Sequence, residues 1–169
     1  LTLVTFVGSI DFALRQVPVV ARLRGLDRPM VLKLSPLLHR GFLPADVRAV
    51  HLGLDRKFLG GHRDFDGEVF DCAEGNARTL ERLRALRAEG GPVCVVLDCQ
   101  VLASDYFQGT SVPFPFSFSK TEFMQVWGEV CALKERIVSL AICQFNPTVE
   151  EMRSAVFIIE LLYRLVCEA

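Results

Sequence analysis

Short, nearly continuous apolar runs recur along this chain, separated by longer segments with one polar face, and that alternation limits the fold more than any other feature. The runs 1–7, 47–52, 93–97 and 137–145 are rich in Val and Leu and lack the apolar–polar alternation of a half-exposed strand. A strand that is apolar on both faces must be covered on both, which is the condition inside a parallel sheet. The segment 76–89 places Leu80, Leu83 and Leu86 on one stripe, pairs Glu74 with Arg78 and ends at Gly90-Gly91, the pattern of an amphipathic helix. Ser119-Lys-Thr-Glu122 and Thr148-Val-Glu-Glu151 both fit the capping box, so two further helices are expected to start there, the second running from Thr148 to Glu168. Strands alternating with helices predict an α/β domain, a parallel sheet with helices on both faces. The glycine-bearing stretch 53–75 and the Pro-, Ser- and Phe-rich stretch 103–118 read as loops.

At 169 residues and 51% hydrophobic content, the chain is expected to form a single domain, 1–169, around one core. A formal net charge of -1 gives no bulk attraction for nucleic acid or an anionic membrane. Apolar stretches are interrupted by charge, Glu160 and Arg164 in the last, so no membrane span is expected. Cys72, Cys94, Cys99, Cys131, Cys143 and Cys167 form no CxxC pair, and several sit in apolar runs. Buried reduced thiols are the expectation, which together with the lack of a secretory leader pattern places the protein inside the cell, in cytoplasm or mitochondrial matrix.

In open parallel sheets ligands bind at the carboxyl ends of the strands, so the residues there carry the functional reading. Val96-Leu-Asp98-Cys-Gln100 ends one strand and is followed by a Gly- and Pro-containing loop from Gly109 and by the helix opened at Ser119. Another strand ends Ser139-Leu-Ala-Ile-Cys-Gln144-Phe-Asn-Pro147. This order resembles the ureohydrolase superfamily of arginase, agmatinase and formiminoglutamase, whose strands end in Asp-x-Asp and in Asp-x-x-Glu-x-Asn-Pro. Upstream, Val7, Ser9 and Asp11 can be laid on the family's Asp-x-His-x-Asp segment, and Arg15-Gln-Val-Pro18-Val19 on its His-Gly-x-Pro-Val. His51-Leu-Gly53 stands where a further family strand reads Ile-Gly. The resemblance implies an arginase-like three-layer fold, here incomplete and matching the later part of the family domain.

The resemblance also implies two manganese ions in active relatives, which together lower the pKa of a bridging water so that it attacks a C–N carbon. Hard dications need several carboxylate and imidazole ligands. Here Val7, Ser9 and Gln100 stand in ligand positions, Arg15 in that of the catalytic His, and Gln144 in that of the substrate-pairing Glu; only Asp11 and Asp98 remain. No catalytic residue and no bound metal are therefore expected. The expected function is that of an inactive pseudoenzyme, a structural or interaction subunit partnered by other proteins. The alternatives are a metal-dependent hydrolase of guanidino or formimino C–N bonds with a remodelled site, its ligands completed by a Gly-Gly-Asp-His segment, or a regulator of an active paralogue.

Further candidates have plainer readings. His62-Arg-Asp64-Phe-Asp66 has a metal-like spacing, but in a Gly-rich loop beside Arg63 it reads as solvated charge. Cys99 could be a nucleophile, yet neither His39, His51 nor His62 is placed by sequence to activate it. Arg78, Arg82, Arg84 and Arg87 could meet RNA phosphates, but interleaved Glu74, Glu81 and Glu89 favour a salt-bridged face. Phe114, Phe116 and Phe118 are expected either to fill the vacated pocket or to dock a partner.

Overall fold

A computed structural model describes residues 3–7, 19, 22, 25–26, 29–35, 47–54, 68–71, 75–115, 117–150 and 152–167. Its described elements are β1 (Leu3–Val7), β2 (Met30–Leu34), β3 (Ala49–Leu54), β4 (Glu68–Asp71), α1 (Asn76–Glu89), β5 (Val93–Asp98), α2 (Lys120–Cys131), β6 (Ile137–Cys143) and α3 (Arg153–Cys167). The strands form one six-stranded sheet in the order β1-β6-β5-β2-β3-β4, with every neighbouring pair parallel. The expected α/β parallel sheet is observed.

Alternate residues of the central strands serve two separate apolar layers. Val93, Val95 and Leu97 of β5 face the main core, which contains Leu83 and Leu86 of α1, Phe123, Val126 and Trp127 of α2, and Phe157, Ile158 and Leu161 of α3. Cys94 and Val96 join Val31, Ala49, Ala141 and Cys143 on the other face, and these too are buried. Both faces are therefore covered, although the three described helices all pack on the first. Each fully buried Leu, Val or Phe stabilises the fold by about 1.5–3 kcal/mol relative to exposure, so the layering rather than any single contact carries the sheet. Trp127, fully buried, also donates its indole N–H to the Leu161 carbonyl at 3.0 Å and ties α2 to α3.

Local signals are met unevenly. The Ser119 capping box forms in full: Glu122 N–H donates to Ser119 Oγ, and Ser119 N–H donates to Glu122 Oε2 at 3.0 Å. Thr148 does not open α3. Its N–H and hydroxyl donate to Asn146 Oδ1 at 3.0 and 2.6 Å, forming a turn, and the helix begins at Arg153. Glu150 accepts from the Ser154 N–H at that helix start. The end of α1 is held from outside, because the Arg136 guanidinium donates to the carbonyls of Leu86, Gly90 and Gly91.

Two strands depart from the expectation. The stretch 53–75, read as loop, contains β4, a short edge strand paired with β3. β2 lies in a segment with no strand assigned, because a lysine interrupts its apolar run; Lys33 is nevertheless fully buried.

Candidate functional site

The chain steps outward through β2, β3 and β4, then returns to lay β5 against the other edge of β2 and β6 beyond it. The connections diverge between β2 and β5, and the crevice at such a switch point is where open parallel sheets bind ligands. The register aligns the strand ends: Val7 pairs with Cys143, Cys143 with Asp98, and Leu34 with Leu97. Asp98 of β5 and Ser35, the residue after β2, therefore face one another across the crevice.

Asp98 is fully buried, and both its oxygens accept hydrogen bonds from this chain. Ser35 Oγ donates to Oδ2 at 2.8 Å, and the Gln100 N–H donates to Oδ1 at 3.0 Å. The second bond caps the single 3₁₀ turn Cys99–Val101. Burial holds the carboxyl above its ordinary range, and the two hydrogen bonds and the charge of Lys33 only partly oppose this. The arrangement is that of a bracket joining β2, β5 and the following turn.

The loop after β5 closes over this end. Gln100, also buried, donates from Nε2 to the Val112 carbonyl at 2.7 Å. Ser117 Oγ donates to the carbonyls of Gln100 and Phe114 at 3.1 and 2.9 Å. Further along, the N–H groups of Gln108 and Gly109 donate to Ser154 Oγ, and Asn146 Nδ2 donates to Ser111 Oγ at 2.8 Å. A Cβ at Gly109 would lie 2.7 Å from that of Ser154, so only glycine allows this approach. The aromatics behave differently from one another. Phe118 is buried in the main core, 6.5 Å from the Phe123 ring, rather than lining a mouth; Phe114 is half-buried, and Phe116 lies outside the described residues. The space beneath the loop is filled by Phe107, which packs on Phe145 and Phe157 at 6.1 Å each.

Ser9, Asp11 and Arg15 lie outside the described residues, as do His39, His62, Asp64 and Asp66. Val7 ends β1, which β6 separates from β5, so it stands two strand spacings, roughly 10 Å, from Asp98. Gln144 follows β6 half-buried, with φ 59, a left-handed conformation that turns the chain away from the sheet. Cys99 and Cys143 are buried beside Asp98, and burial pushes both thiols up, away from the thiolate a nucleophile needs. On α1, Arg82 pairs with Glu68 and Glu89, and Arg84 with Glu129. Lys33 and Ser35 escaped the sequence reading; the signal for them was a short Val-Leu run framed by Pro29 and Pro36.

Whether this site suits a dication can be judged from its donors. Among the described residues, no group of three His, Cys, Asp or Glu side chains is placed to hold a metal ion. The central carboxylate is engaged on both oxygens, and its neighbour Gln100 offers a neutral amide already bonded to backbone. The described residues do not fit a pair of manganese ions.

The architecture has well-defined counterparts. The arginase of Bacillus caldovelox superposes with a TM-score of 0.77 at 14% identity, over 99% of this chain and 69% of that one. The fold is that of the ureohydrolase superfamily. Trypanosoma cruzi formiminoglutamase matches the same ureohydrolase fold with a TM-score of 0.76 at 19% identity, over 98% of this chain and 62% of its own. A hypothetical agmatinase from Burkholderia thailandensis matches at 0.73 and 15%, over 98% of this chain and 58% of its own. The chain thus spans 58–69% of the length of these proteins. No protein-family model matches it, and no curated protein sequence does.

Proposed function

We propose that this protein is a catalytically inactive member of the ureohydrolase fold, serving as a structural or interaction subunit of a larger protein assembly. The observation that carries the reading is Asp98, a buried carboxylate at the switch point whose two oxygens are taken by Ser35 and by the Gln100 amide. Each oxygen keeps a second lone pair, but among the described residues no group of three His, Cys, Asp or Glu side chains completes a ligand set around it, and one carboxylate does not hold a hard dication.

The strand order also favours moving two motifs of the resemblance. Ligands sharing ions with Asp98 come most directly from the strands beside β5, which are β6 and β2, and β6 already leads into the Asn146-Pro147 motif, which leaves β2. On that placing, Ser35-Pro-Leu37-Leu-His39 takes the Asp-x-His-x-Asp position, with Ser for Asp, Leu for His and His for Asp. Val7-Gly8-Ser9-Ile10 then takes the Gly-Gly-Asp-His position, with Ser for Asp and Ile for His. Of the ligand set, Asp98 alone is retained, and His39 is an imidazole in an acid's place. One carboxylate and one imidazole do not offset the dehydration of two dications.

The test is metal content. Protein incubated with excess Mn²⁺, desalted and analysed by mass spectrometry of the metal should carry well under one ion per chain. Two ions per chain would overturn the proposal and support the remodelled hydrolase instead.

A further inference from the structure

We draw no further inference here: the strongest candidate, the open groove of about 440 Å³ between α1 and α2 with Leu80, Met124 and Gly128 along it and Arg84 and Arg87 at its side, carries nothing, because Arg84 is already paired with Glu129 of the same groove and nothing in the structure shows what covers it.

Discussion

Replacing Asp98 by Asn and by Ala separates a structural bracket from a buried catalytic acid. Asp98→Asn keeps the shape: the amide oxygen accepts from the Gln100 N–H as Asp98 Oδ1 does at 3.0 Å, and the amide nitrogen can donate to Ser35 Oγ, which now serves as acceptor. The buried charge disappears. Burial is the largest influence on this carboxyl and Lys33 the smallest, so the desolvation relieved outweighs the attraction lost. Asp98→Asn should therefore be neutral or stabilising at pH 7. Asp98→Ala instead takes this acceptor away from the Ser35 hydroxyl and the Gln100 N–H, at about 1–3 kcal/mol each, so a loss of about 2–6 kcal/mol is expected. The pH dependence follows from the sign of the shift. A carboxyl whose folded pKa lies above its unfolded one favours the fold fully below the unfolded value, near 4, and progressively less as pH rises through the folded value. The advantage of Asn over wild type should accordingly grow from pH 4 to pH 7. Urea denaturation at both pH values measures it. An Asn variant as unstable as the Ala variant, or an Asn advantage that shrinks towards pH 7, would refute the bracket argument.

Gly53, with φ +85, would place a Cβ 2.4 Å from Val101 Cγ2 and 3.0 Å from the Phe118 ring. Gly53→Ala should cost about 2–4 kcal/mol, combining left-handed strain with overpacking, read as a lowered urea midpoint; an unchanged midpoint would show that β3 does not press on the turn after β5. Removing the α2 cap with Ser119→Ala should cost about 1 kcal/mol, a fall in Tm of about 2–4 °C for a domain of this size, and Ser119→Asp should recover most of it.

Much of the architecture is legible in local pattern. Residues 93–97 announce a strand buried on both faces because no position in Val-Cys-Val-Val-Leu prefers water, and all are buried. The Leu80, Leu83 and Leu86 spacing specifies which side of α1 faces inward, and Leu83 and Leu86 are fully buried. Ser119 and Glu122 lie three residues apart, so their reciprocal bonds need only a helix, not a fold. These are interactions within one element, whose energies depend on neighbours along the chain.

The site is another matter. That Ser35 meets Asp98 depends on β2 lying beside β5, a pairing between residues 63 positions apart that no local periodicity encodes. The burial of Lys33, the placing of β1 beyond β6, and the capture of Thr148 by Asn146 instead of a helix start likewise arise from tertiary contacts. Local sequence was enough to establish that strands and helices alternate and where α1 and α2 lie. Which strand ends adjoin was left to the folded chain as a whole, because strand order is settled by the burial of whole sheet faces and by backbone pairing between distant segments, and neither leaves a mark on any single stretch of residues.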